Sequence, residues 1–257
     1  MRIMKTTQAY AIGKVEDLIL HIPNKYVNLI LSDLPYGTTQ SKWDIIIPLE
    51  PLFEQYKRIL KDDGVIVLTA QQPFTSMLIT SNPKMFRYTW TWDKSRPTGF
   101  LNAKIQPLRV TEDIVVFYKE CCKYNPQMTD CKEYTRKTTS KSSSVYSKYK
   151  GVDVRICQKY PTNLIKISRI HHETLHVNQK PTELFEYLIK TYTDEGDVVH
   201  DSTMGSGVTM EACKNLNRNF VGFELDPKWK IVYELILSGK TLKEIYAIKD
   251  KLWSKIN

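Results

Sequence analysis

The chain has 257 residues, 42% hydrophobic and 25% charged, enough to bury a sizeable core and unlike a disordered tail or a fibre. No apolar run is long enough to span a bilayer and the N-terminus lacks a signal-peptide pattern, so a cytoplasmic protein without membrane association is the expectation. The net charge of +9 is concentrated: Lys119 to Ile170 holds twelve Lys/Arg against four Asp/Glu.

Val27–Leu31 is a continuous apolar run of the kind buried on both faces of a parallel sheet. Ser32-Asp33-Leu34-Pro35-Tyr36-Gly37 follows directly. A buried strand thus ends in a tight turn presenting a carboxylate and an aromatic ring together. Such a pair suits an exocyclic amine on a flat base: Asp33 accepts from the amine and Tyr36 stacks on the ring. Taken alone, Asp-x-Pro-Tyr-Gly is more often a plain turn. Leu49–Leu60 has helical spacing with Pro51 in its first turn, and Asp62-Asp63-Gly64 breaks it before the strand Val65–Leu68. Phe74–Thr80 reads as a helix, and Phe86–Trp92 and Ile114–Tyr118 as strands. Trp43 and Trp92 read as core or rim aromatics.

From about Glu120 to Tyr160 the chain is polar, basic and Ser/Thr-rich, with Ser142-Ser143-Ser144 inside and no clear periodicity. Its cations are interleaved with Tyr124, Tyr134, Tyr146, Tyr149 and Tyr160. A scattered surplus would be a solvated face; one concentrated among aromatics points to a polyanion partner. The cysteines (121, 122, 131, 157 and 213) form no Cys-x-x-Cys pair, so free thiols and no metal site are expected. His171, His172 and His176 read as loop polar residues.

Pro181–Thr193 carries Leu184, Phe185, Leu188 and Ile189 on one helical face, with Gly196 beyond its end. The strand Val198–Asp201 leads into Ser202-Thr203-Met204-Gly205-Ser206-Gly207, the helix Val208–Leu216 and the strand Phe220–Glu224. Strand, glycine turn, helix, strand and terminal carboxylate is the layout of a nucleotide-cofactor half-site. Gly205 and Gly207 allow close backbone approach, Glu224 can hold ribose hydroxyls, and Asp201 can accept from a ligand amine. Gly-x-Gly-x-x-Gly and a Walker lysine are both missing, which favours a cofactor with a ribose and an amino-acid arm but no phosphate: S-adenosylmethionine. Trp229–Asn257 reads as helical with a break at Ser238-Gly239.

Together these stretches resemble the amino-methylating (N6-adenine/N4-cytosine) DNA methyltransferases. Asp33-Leu34-Pro35-Tyr36 matches that family's catalytic Asp/Asn/Ser-Pro-Pro-Tyr, with Leu34 in place of the first proline. Thr203-Met204-Gly205-Ser206-Gly207 matches its Phe-x-Gly-x-Gly cofactor loop, with Thr203 in place of the phenylalanine. His176-Val177-Asn178-Gln179-Lys180-Pro181 is similar to its His-Pro-x-Gln-Lys-Pro, and Trp92-Asp93-Lys94 through Thr111-Glu112-Asp113-Ile114-Val115-Val116-Phe117 to its substrate-side strands. The motif order is that of the β-group. The resemblance implies an α/β, Rossmann-like methyltransferase fold, its sheet mostly parallel with one reversed strand, plus an inserted target-recognition region. It implies a catalytic half over 1–119, the insert over 120–165, and a cofactor half with C-terminal helices over 166–257. It carries a catalytic role to Asp33, Leu34, Pro35 and Tyr36. It carries cofactor binding to Asp201, Thr203, Met204, Gly205, Ser206, Gly207 and Glu224, and with less weight to Lys180. The implied activity is N6-adenine methylation of double-stranded DNA by base flipping, Asp33 rather than Ser favouring adenine by the family's habit. N4-cytosine or RNA methylation, and a silent DNA-binding subunit, stay open. Family members often form homodimers.

Overall fold

The computed structural model describes residues 7–41, 43–136, 154–170, 172–176 and 178–254. Two compact units divide the chain: Pro126–Thr162 forms one, and the residues on either side of it form the other. Ser142–Ser144, Tyr146, Tyr149, His171 and Val177, singled out above, lie outside the described residues, as do the last three positions.

The larger unit is built on an eight-stranded sheet. Its strands are β1 (Gln8–Ile12), β2 (Val27–Ser32), β3 (Leu60–Ala70), β4 (Phe86–Thr98), β5 (Arg109–Phe117), β8 (Leu164–Lys166), β9 (Val198–Asp201) and β10 (Asn219–Glu224), in the spatial order β1-β10-β9-β2-β3-β5-β4-β8. All neighbouring pairs are parallel except β3–β5 and β5–β4, so β5 alone runs backwards. This is the α/β, mostly parallel sheet with one reversed strand that the motifs imply.

Alternation along the central strands explains why their sequences are apolar throughout. Leu29 and Leu31 of β2 and Val65 and Val67 of β3 join one core, with α4 (Thr182–Tyr192), α5 (Val208–Asn215) and α6 (Lys230–Leu237). Ile30, Ile66 and Leu68 join the other, with α1 (Val15–Leu18), α2 (Leu49–Ile59) and α3 (Phe74–Ser81). Helices cover both faces, so every β2 residue is buried. Two short helices, α7 (Leu242–Ala247) and α8 (Lys249–Trp253), complete the unit. Gly239, at φ +110°, separates α6 from α7, and Thr241 opens α7 with a capping box to Glu244. Among the described residues no helix is long and apolar enough to cross a membrane.

Several boundaries differ from expectation. β3 starts at Leu60 rather than Val65, because Val27 pairs with Leu60 and Leu29 with Val65, leaving residues 61–64 as an excursion beside one ladder. β4 runs on to Thr98, six residues past Trp92, where its pairing with β5 is irregular. β1 was unanticipated: it is five residues long, only partly buried, and pairs along one side with β10. The polar segment that lacked periodicity holds an antiparallel pair in the smaller unit, β6 (Thr129–Arg136) with β7 (Val154–Lys159). Backbone pairing rather than an apolar pattern defines those strands, so period-two reading passes them over.

Candidate active site

β2 delivers Asp33 to the carboxyl-terminal edge of the sheet. Lys180 Nζ donates to Asp33 Oδ2 at 2.8 Å and Oδ1 at 2.9 Å, and Tyr36 Oη donates to Oδ1 at 2.7 Å. Thr69 at the end of β3 donates to the same oxygen. The site continues into the reversed strand. Glu112 of β5 accepts from the buried Lys94 of β4 at 3.0 Å. Its other oxygen is buried, has no hydrogen-bond partner among the described residues, and lies 3.4 Å from Lys180 Nζ. Burial alone would lower the Lys180 pKa, but Asp33, Tyr36 and Glu112 outweigh it and hold the ammonium well above the ordinary lysine value. Burial first, and the Asp33 charge second, push the Tyr36 phenol far up, so Tyr36 stays a neutral donor.

The rest of the catalytic loop is braced. The Tyr36 ring stacks on the fully buried Phe74, with centroids 5.3 Å apart and planes at 25°. Leu34 packs its side chain into the α2–α3 core, while Pro35 is half-buried. Asp44 collects the backbone N–H groups of Gly37, Thr38 and Thr39 at 2.7–2.9 Å. Burial acts to raise the Asp44 pKa, and hydrogen bonding from the Thr39 side chain, with those N–H groups, overcomes it and lowers it.

The second loop follows β9. Asp201 is 2% exposed and turns into its own loop, accepting from Thr203 N at 3.0 Å and from the Thr209 hydroxyl. Burial lifts its carboxyl to about 7 against those hydrogen bonds. Met204 and Ser206 are also buried, Met204 in the core against β10. Gly207 caps α5 at φ +84°, and a Cβ there would sit 2.8 Å from Ile236 Cδ1. Gly205, at φ +50°, is different: a Cβ there would meet nothing within 4 Å. It borders open space with its N–H held by Glu224 Oε2 at 2.8 Å, while Glu224 Oε1 accepts from Asp226 N at 2.9 Å. Burial raises the Glu224 carboxyl. Tyr233 Oη donates to Gly205 O at 2.6 Å, fixing the turn from behind. A glycine turn bordering a void and ending on a carboxylate fits a cofactor that carries a ribose.

The two loops meet. Thr203 Oγ1 donates to Asp33 O at 3.0 Å, and Ser202 N donates to Ser32 Oγ at 2.9 Å. Thr203 stands where the resembling family places phenylalanine, and its hydroxyl makes one of these two ties between the loops. Beneath them, His200 Nδ1 donates to Val221 O at 2.9 Å. That bond fixes the tautomer, so Nε2 accepts from Ser202 Oγ at 3.0 Å, and Ser202 accepts from Tyr56 Oη at 2.7 Å. Burial drops the His200 pKa from 6.5 to about 4, opposed by the Val221 carbonyl. An unfolded chain takes up the proton near 6.5, so the stabilisation from neutral His200 is whole above that pH and is lost as pH falls towards 4. The wild type is expected to lose on the order of 3 kcal/mol more than His200→Gln between pH 7 and pH 4. Denaturant melts of both proteins at the two pH values measure this; equal losses would refute it.

Asp33, Leu34, Pro35, Tyr36 and Lys180 therefore gather at one end of the site. The turn Asp201–Gly207 and Glu224 line the other, and Thr203 joins them. Lys180, expected with the cofactor residues, is placed on the Asp33 carboxylate. Thr69, Lys94, Glu112, His200, Ser202 and Tyr56 were not anticipated. Lys94 and Glu112 had a signal, since both lie in the stretches resembling substrate-side strands. Among the described residues no group of His, Cys, Asp or Glu could hold a metal ion.

Known proteins match this arrangement. The family model described as DNA methylase, of the N6/N4 group, covers residues 27–233. Type II methyltransferase M.HpaI of Haemophilus parainfluenzae is 26% identical over 220 residues, covering 79% of this chain and 65% of the relative. The chain thus spans just under two thirds of that protein. DNA adenine methyltransferase YhdJ of Escherichia coli K12 is 25% identical over 228 residues, covering 81% and 75%. Among solved structures, the PvuII DNA methyltransferase (cytosine-N4-specific) superposes with a TM-score of 0.65 at 15% identity, over 98% of this chain and 96% of that one. A likeness at that identity speaks for the fold alone.

Proposed function

This chain belongs to the N6/N4 DNA methylase family, and we propose that it transfers a methyl group from S-adenosylmethionine to the N6 amino group of adenine in duplex DNA. The observation carrying this reading is the junction of the loops: Thr203 binds the backbone of the residue whose carboxylate would receive the amine. Gly205, Gly207, Glu224 and the turn held by Asp201 would hold the cofactor. Bound there, it supplies a methyl on a sulfonium, already activated for attack by an amine.

The chain's own work is then alignment. Asp33 and the Leu34 carbonyl accept from the amine and keep its lone pair from spreading into the ring. Tyr36, set by Phe74, offers its ring to the base. Lys180 must yield some of its hold on Asp33 when the amine arrives, and the unpartnered Glu112 oxygen 3.4 Å away gives the ammonium a second acceptor. No general base is needed before transfer. The inserted unit, with its basic sequence, would contact the phosphates and select the target. Flipping the base costs a few kcal/mol, which phosphate contacts and stacking offset.

The test is incubation of unmethylated DNA with the protein and S-adenosylmethionine, followed by digestion to nucleosides. N6-methyladenine is expected. N4-methylcytosine would move the specificity within the same chemistry, and an unmodified product with no cofactor binding would indicate a non-catalytic subunit.

A further inference from the structure

Between β4 and β5 the chain displays apolar side chains to solvent. Phe100 is 81% exposed, Leu101 98% and Ile105 82%. Isolated exposed leucines are common, but three large apolar residues within six positions are not. The loop carrying them is ordered by its own backbone. Gly99 turns it at φ +88°, and Asn102 N, Ala103 N, Ile105 N and Gln106 N bond to carbonyls three or four residues back.

Its place follows from the sheet. β4 runs in the same direction as β2 and β3, so the loop springs from the edge that bears Asp33. Its neck is linked to the site by polar contacts. Thr98 Oγ1 donates to Arg109 O at 3.1 Å and accepts from Lys94 Nζ at 3.3 Å, and Lys94 in turn holds Glu112 beside Lys180. On the other side, with its amide turned to suit its surroundings, Gln71 accepts from the Arg109 guanidinium at 2.9 and 3.0 Å. Between Asp93 and Glu112 there is no acidic residue, while Arg96, Lys104 and Arg109 are exposed. An exposed apolar loop whose charged residues are all cations, on the sheet edge that bears a site read as taking an extruded base, complements a nucleic acid: stacked bases for the apolar side chains, phosphates for the cations.

We propose that Phe100, Leu101 and Ile105 form a wedge that enters the DNA base stack and holds open the gap left by the flipped adenine. The proposal rests on the DNA-methylating reading above. The wedge has no part in transfer itself; it lowers the cost of unstacking, so it matters in proportion to how well paired the target is.

The test uses the full chain carrying Phe100→Ser, Leu101→Ser and Ile105→Ser together, all at exposed positions. The probe is a duplex bearing the methylated sequence, with 2-aminopurine at the target. Binding of the wild type raises the fluorescence; the triple variant is expected to give little rise and to methylate the ordinary duplex about tenfold more slowly or worse. Placing an abasic site opposite the target is expected to bring the variant within about threefold of the wild type, because extrusion is then cheap. Equal fluorescence and rates on the paired duplex would overturn the wedge. So would a variant that only dissociates a dimer while flipping normally, which would make the patch a self-association surface. If the wild type itself neither flips nor methylates, the functional reading falls and the wedge with it.

Discussion

Asp33→Ala is expected to slow methyl transfer to DNA by roughly 10²–10³-fold, the usual effect of removing one preorganised polar group from a reacting centre. Affinity for S-adenosylmethionine should stay within a few-fold of the wild type, since the cofactor turn is held by Glu224 and Tyr233. Truncation also leaves Lys180, 8% exposed, without its main counter-ion, and deprives Tyr36 and Thr69 of their acceptor. Glu112 stays 3.4 Å from the ammonium, so the cost falls below the about 3–5 kcal/mol of a wholly uncompensated buried charge, and the alanine variant should still melt lower. Asp33→Asn separates the two effects. It keeps the shape and one carbonyl acceptor, should be the more stable variant, and should still be slow, because it offers the amine and Lys180 one oxygen instead of two charged ones. Single-turnover rates, cofactor calorimetry and thermal melts on both variants decide the matter. A folded Asp33→Asn with wild-type rate would remove the carboxylate from the chemistry.

Glu224→Ala acts at the other end. It removes the acceptor for Gly205 N and Asp226 N and the group placed to hold a ribose. Hydrogen bonds to a charged group are worth about 1.5–3 kcal/mol each, so losing a pair to the ribose should weaken S-adenosylmethionine binding by about 10²–10⁴-fold. Glu224→Gln, retaining one carbonyl oxygen, should lose about tenfold. DNA affinity without cofactor should not change in either variant. Unchanged cofactor affinity in Glu224→Ala, measured by calorimetry, would place the ribose elsewhere.

What the sequence disclosed follows distance along the chain. The strand Val27–Leu31 with the loop after it, and the turn from Asp201 to Glu224, are local patterns: apolar run, turn chemistry, glycines at a helix start. Both were legible. The contacts that assemble them were not. Lys180 reaches Asp33 across 147 positions, and Thr69 and Glu112 arrive there only because β3 and then the reversed β5 lie beside β2 in the sheet order. Strand order is set by the packing of both sheet faces, which no single stretch displays. Thr203 is intermediate. Its departure from the family's phenylalanine was visible, but that its hydroxyl would bind the Asp33 carbonyl required the two loops in place. Asp201 shows the same limit: its position at a strand end was plain, whereas its burial and inward bonding to Thr203 and Thr209 depend on the helix that follows.

Sequencing single DNA molecules from otherwise methylation-free cells that express either the wild type or Asp33→Ala reports modified base and site at once. N6-methyladenine is expected at one recurring sequence with the wild type and none with the variant. Methylation that persists in Asp33→Ala, or DNA left unmodified by a wild type that binds both DNA and cofactor, would contradict this expectation.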